Sequence, residues 1–140
     1  MEISRPAPRI IHITSPYGPR KAPTAGASTF HHGIDFGGKF QVSIARKGKV
    51  VAKGYDPNGY GHYICVRHAE VTAKGIRFWQ TFYAHGSHAS TLTVGKRVND
   101  GDHVFISGQT GVATGDHLHF ELRKRVGKVY VPVNPALFIV

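Results

Sequence analysis

The chain has no long hydrophobic run. No apolar stretch among its 140 residues approaches the roughly 20 needed to cross a bilayer. The N-terminus, MEISRPAPRIIHITS, has no apolar segment of signal-peptide length, so no membrane insertion is expected. Cysteine is nearly absent: with Cys65 alone, no intramolecular disulfide can form. Its setting in YICVRH reads as a small apolar strand residue rather than a catalytic thiol. Acidic side chains are few, eight against eighteen Lys and Arg, for a formal net charge of +10. That field favours a polyanion: nucleic acid, anionic lipid or an anionic cell wall. The cations fall in short clusters (Arg46, Lys47, Lys49; Lys96, Arg97; Arg123, Lys124, Arg125, Lys128), which read as solvated faces and not as a disordered tail.

A long helical period is also missing, as are repeats and low-complexity segments. Apolar residues alternate or come in short runs, and turn signals recur among the 17 glycines and 8 prolines. Strands are expected at 10–14, 31–36, 49–54, 63–68, 77–85, 103–108 and 117–123. Turn-forming DPNG (56–59), VNDG (98–101) and TGVATG (110–115) lie between them, and DPNG between two strand runs signals a hairpin. The pattern predicts a mostly β fold of antiparallel sheets with glycine-rich hairpins. The length suits one domain, expected over 10–140. Residues 1–9, with two prolines, are expected as an N-terminal arm lying loose. Residues 15–29 are expected as a long loop, of the kind that carries function.

Ten histidines are many, but their placement says more than their number. In GDHLHFELR, strand alternation puts His117, His119 and Glu121 on one face and Leu118, Phe120 and Leu122 on the other. The second face reads as core; the first is a polar row that a purely structural strand does not need. In FHHGIDF, glycines argue against a helix. In an extended chain His31, Gly33 and Asp35 share a face and His32 points away, with the small Gly33 leaving room for an ion. A carboxylate plus imidazoles suits zinc, with His31, Asp35 and one of His117 and His119 as protein ligands. In FYAHGSHAS, parity puts Tyr83 with His85, and Phe82 with Ala84 on the opposite side.

HHGID, YAH and TGDHLHFE, in this order with glycine-rich turns between them, resemble the lysostaphin-type zinc metallo-endopeptidases of bacterial cell walls. SPYGPR, GYGHYICVRH, VGKRVNDGDHVFISGQTG and VNPALFI fit the same frame, so the resemblance covers roughly residues 10–139. It implies a lysostaphin-type peptidase fold with an open groove and one zinc ion. His31, Asp35 and His119 would be the metal ligands, and His85 and His117 the two catalytic, non-ligand histidines. It also implies hydrolysis of peptide bonds in peptidoglycan stems or cross-bridges, with loops such as 15–29 and 86–97 selecting the bond. Asp116 departs from the family, which more often has proline or a small residue there. Glu121 would either orient His119 or be an ordinary surface residue.

A non-catalytic cell-wall-binding or activator module of the same fold is the alternative; such modules lack ligands, and none is lacking here. A nucleic-acid-binding β domain fits the charge, but no strand interleaves aromatic and basic residues as base-stacking surfaces do. The expected partner is therefore the anionic wall and its peptides, met by a monomer. The expected setting is a phage-released lysis enzyme or one domain of a longer exported protein.

Overall fold

A computed structural model describes residues 1–22, Ala25 and 29–140. Among these, twelve strands follow one another: β1 (Ile13–Ser15), β2 (Gly18–Pro19), β3 (Phe30–His31), β4 (Ile34–Gly37), β5 (Gln41–Ser43), β6 (Gly48–Asp56), β7 (Gly61–Thr72), β8 (Gly75–Gly86), β9 (Arg97–Val98), β10 (His103–Ile106), β11 (His117–Val126) and β12 (Val129–Val133). A single 3-10 turn, Pro135–Leu137, comes last, capped by the Asn134 side chain.

Alternation along the three long strands builds one large antiparallel sheet in the order β1-β4-β11-β8-β7-β6-β9, with β12 also paired to β11. Asp56 closes the β6–β7 turn, its carboxylate accepting from the backbone N–H of Asn58 and Tyr60. This is the hairpin that DPNG predicted. One face of the sheet is apolar: Ile34, Phe36, Val50, Ile64, Val66, Tyr83, Leu118, Phe120 and Leu122 are all at most 1% exposed. It packs against Val42 of β5 and Val104 and Phe105 of β10, a two-stranded sheet that lies off the large one.

One polar chain runs through this core. His68 donates from Nδ1 to the Lys47 carbonyl and accepts at Nε2 from Thr81. Thr81 accepts from the Tyr83 hydroxyl, which accepts from the Ala45 N–H. The ring nitrogens of His68 and the hydroxyls of Thr81 and Tyr83 all have partners, which is what makes this network tolerable there.

Two expectations change. Residues 1–9 are not a loose arm. Ile3 is 1% exposed and bridges Ile139, and the Ser4 N–H donates to Ala45 O. Burying one isoleucine is worth about 2 kcal/mol, and buried Ala7 with these backbone bonds adds to the hold on the segment. The run at 31–36 is not one strand either: β3 and β4 are separated by a bend at His32 and Gly33. The strand β12 was not foreseen because its run contains Pro132; it pairs on one side only, where proline is tolerated. The expected loop over 15–29 falls partly outside the described residues, and its described part includes β2.

Candidate metal centre

The bend between β3 and β4 presses against β11. A Cβ on Gly33 would stand 2.2 Å from the Phe120 carbonyl oxygen. The glycine therefore permits close backbone approach; the room it leaves is filled by β11, not reserved for an ion. Because of that approach, Asp35 comes directly opposite His119 in the β4–β11 register. His31 Nε2, Asp35 Oδ1 and His119 Nδ1 form a nearly equilateral triangle with sides of 3.0, 3.1 and 3.0 Å. His32, one residue away, is exposed, while His31 is 2% exposed.

Hydrogen bonds on the outer sides of the two rings fix their tautomers. His31 Nδ1 donates to the Pro16 carbonyl at 2.9 Å, which leaves Nε2 as a lone pair. His119 Nε2 donates to Glu121 Oε1 at 2.8 Å, which leaves Nδ1 as a lone pair. Three acceptors thus face one another at hydrogen-bond distance, and they repel unless a cation lies between them. A tetrahedral ion with bonds of about 2.0–2.1 Å separates its ligand atoms by roughly 3.3 Å, close to what is seen. Two neutral imidazoles and one carboxylate, with a fourth direction open to the groove, are a donor set that fits zinc.

The electrostatics agree. Burial opposes ionisation of Asp35, yet the imidazoles beside it, His119 first and then His31, hold its carboxyl far below the usual carboxylate range when one of them carries a proton toward it. Burial likewise opposes charge on His119, but Asp35 and Glu121 together raise it to about 9. The cluster calls for one positive charge at its centre. A proton on His119 and a metal ion are competing ways to supply it.

Glu121 is no surface residue. It is 1% exposed, takes the His119 proton on one oxygen and accepts from Arg123 Nε at 2.7 Å on the other. Tyr60 donates to it at 3.3 Å and stacks beside His119. On the opposite flank Arg20 approaches Asp35 Oδ2 at 3.6 Å and donates to Ser15 Oγ, which lies 3.3 Å from His31 Nδ1. The three side chains are thus oriented from outside, as metal-binding imidazoles would require. In the sequence, SPYGPR and the DPNGY turn held Arg20 and Tyr60, but nothing local marked them as neighbours of the histidines.

His85 and His117 lie with ring centroids 4.6 Å apart and their planes tilted by 43°, and the His85 ring lies 6.2 Å from that of His119. Parity misplaced His85: it does not share a face with Tyr83, which is buried against Phe120 in the core. His85 is the one described non-glycine residue with positive φ, 65°. This left-handed residue, next to a register shift between β7 and β8, turns the side chain to the His119 side. Such backbone is costly and persists where the surroundings enforce it. Here Thr110 does so: its carbonyl accepts from His85 Nδ1 at 2.7 Å, and its hydroxyl donates to Gly86 O. Burial pushes His85 down to about 4, so it is neutral near pH 7 with Nε2 as an acceptor. His117 Nδ1 donates to Gly115 O, which likewise leaves Nε2 as the acceptor of its neutral form.

The groove over these residues is lined by Ser15, Arg20, Lys21, Val112, Asp116 and Tyr60, among others. Among the described residues its walls come from segment 14–21, the 58–60 turn and the 112–116 turn; none of 86–97 lines it. Asp116 lies on the wall and accepts from Gln109. Cys65 is buried with its thiol pushed up to about 11, an inert strand residue as expected.

A groove over a His–Asp–His cluster, with two further histidines beside it on an antiparallel β frame, defines a metallopeptidase-like site. Residues 29–135 match the family described as Peptidase family M23. The chain belongs to that family and has its lysostaphin-type fold. It is 35% identical over 127 residues to the DD-carboxypeptidase/endopeptidase Mpg of Neisseria meningitidis, covering 89% of this chain and 27% of that protein. Among solved structures, the catalytic domain of lysostaphin from Staphylococcus simulans superposes with a TM-score of 0.71 at 27% identity, covering 91% of each chain. A zinc-containing peptidase from Vibrio cholerae gives 0.75 at 29% identity, over 94% of this chain and 39% of that one. The chain spans about a quarter of the length of the curated relatives it matches.

Proposed function

We propose that this chain is a zinc-dependent endopeptidase that hydrolyses peptide bonds in the stems or cross-bridges of bacterial peptidoglycan. The observation that carries the reading is the triangle of His31, Asp35 and His119, three acceptors converging beside the His85–His117 pair. In this reading His31, Asp35 and His119 hold the ion, and His85 and His117 are the catalytic histidines. When bound, zinc acts as a Lewis acid toward the scissile carbonyl and acidifies a water.

The chain's own groups supply the rest. Thr110 holds His85 with Nε2 as acceptor, and Gly115 does the same for His117. Either ring can take a proton from the attacking water and return it to the leaving amine. Whichever ring takes that proton then places one positive charge beside the developing tetrahedral oxyanion. Glu121 and Arg20 hold the ligand side chains in place from outside the triangle. Segment 10–140 would act as one peptidase domain, monomeric, with residues 1–9 docked on it. It works at the bacterial wall, as a phage-released lysis enzyme or as one domain of a longer exported protein. Names such as DD-carboxypeptidase/endopeptidase for a relative support the substrate class. The test is mass spectrometry of fragments released from purified peptidoglycan of known cross-bridge chemistry. Zinc-loaded protein should release new amino termini at one kind of bond, and a chelator should abolish this. Intact peptidoglycan after incubation with zinc-loaded protein would refute the reading.

A further inference from the structure

The register of the large sheet aligns one residue from each of five adjacent strands. Arg97 on β9 stands opposite Lys49 on β6, and Lys49 opposite Arg67 on β7. Arg67 stands opposite Gln80 on β8, and Gln80 opposite Arg123 on β11. Directly paired residues share a face. This face is the one bearing His119 and Glu121, since His119, Glu121 and Arg123 alternate along β11. Strands lie about 4.8 Å apart, so the row runs roughly 19 Å across the sheet.

Four of its five members are cations, and like charges directly opposite each other destabilise a sheet. Among the described residues no carboxylate comes within ion-pair distance of Arg97, Lys49 or Arg67. Two of the row's guanidinium groups, those of Arg67 and Arg123, lie over aromatic rings. Arg67 lies 5.1 Å from the Phe78 ring centre, Arg125 lies 5.8 Å from the same ring, and Arg123 lies 4.4 Å from that of Phe82. Stacking fixes their planes and leaves donors open to an anion. At its inner end the row reaches the metal centre: Arg123 is bound to Glu121, and Glu121 to His119. A row of cations that costs the fold stability and ends at the groove fits a linear polyanion lying across the sheet.

We propose that this row is a docking track for the substrate polymer itself, a proposal that rests on the endopeptidase reading. The free carboxylates of stem peptides adjoining the one being cut bind Arg97, Lys49 and Arg67. The reacting peptide is thereby delivered past Arg123 into the groove. The track raises the local concentration of scissile bonds and takes no part in the chemistry.

The experiment compares wild type with two triple variants that remove equal charge. One is Arg97→Gln with Lys49→Gln and Arg67→Gln, on the row. The other is Lys39→Gln with Lys74→Gln and Lys128→Gln, off the row. Each is measured for co-sedimentation with peptidoglycan sacculi stripped of other polymers, across a salt series. Each is also measured for cleavage of a small soluble stem dimer and for Tm. The row variant should bind sacculi about tenfold more weakly, with a flatter salt dependence. It should cleave the small dimer as wild type does and melt no lower. The off-row variant should bind as wild type does.

Equal loss in both variants would overturn the track in favour of overall charge. So would loss of dimer cleavage in the row variant, or loss of binding to a short DNA duplex with sacculus binding unchanged. The two readings fail separately. Wild type that cleaves nothing, with row-dependent binding intact, sinks the endopeptidase and leaves the track. Normal cleavage with row-independent binding does the reverse.

Discussion

At the scale of single residues, the centre is a matter of which atoms hold protons. His31 and His119 spend their protons on Pro16 and Glu121, so their inward nitrogens are lone pairs. Glu121 keeps the His119 tautomer in place and contributes charge to it. Glu121→Gln retains an acceptor for the His119 N–H but loses that charge. Zinc affinity should then fall about tenfold, the lower end of what outer partners contribute, with Tm little changed. A competition titration against a chelating dye measures it, and unchanged affinity would contradict the role.

A second histidine makes a pH prediction away from the site. Burial pushes His68 down to about 4, well below an unfolded value of about 6.5. The unfolded chain therefore takes up a proton before the folded one does. The stability His68 contributes is complete above about pH 6.5 and drains away as pH falls toward 4, about 3 kcal/mol in all. Between about pH 7 and about pH 5 the His68 share of the loss is about 2 kcal/mol. Denaturant unfolding of wild type and His68→Gln at both pH values tests this: the pH-dependent loss should shrink by that amount in the variant. Parity puts His31 and Asp35 on one face, and the structure brings them together, but across a bend at His32 and Gly33 and not along one extended strand. Parity failed at His85, because one left-handed residue reverses a side chain without leaving any mark in the pattern of residue types.

At the scale of elements, the site depends on how closely the β3–β4 bend approaches β11. The alternating run HLHFELR showed β11 and its core face plainly, and Leu118, Phe120 and Leu122 are indeed fully buried. The partner of β11 was not visible, because strand pairing is a long-range property and Asp35 and His119 lie 84 residues apart. Gly33 was noticed, but its purpose emerged only once Phe120 was beside it. Gly33→Ala would set a Cβ against that carbonyl oxygen and force the bend outward. Overpacking of this kind costs about 1–3 kcal/mol, a drop in Tm of roughly 4–12 °C. His31 and Asp35 flank the glycine, so zinc affinity should fall as well. Calorimetry of the metal-free variant with a zinc titration checks both; an unchanged Tm would mean that the approach is less tight than described.

At the scale of the whole molecule, the fold separates a dry face from a working face. Core side chains occupy one side of the large sheet. His119, Glu121 and the cationic row share the other, with His31 brought in from outside the large sheet. Composition disclosed the excess of positive charge but not its arrangement, since the row is assembled across five strands by their pairing register. Family membership was legible from ordered short motifs, and the docked N-terminal segment was not, because its prolines resemble those of a loose tail. The central claim is that His31, and not its neighbour, joins Asp35 and His119 in holding a metal that cleaves peptidoglycan. The most direct measurement is zinc stoichiometry together with peptidoglycan cleavage for wild type, His31→Ala and His32→Ala. The account predicts one zinc and full cleavage for wild type and His32→Ala, and neither for His31→Ala. Zinc and cleavage retained by His31→Ala but lost in His32→Ala would contradict it.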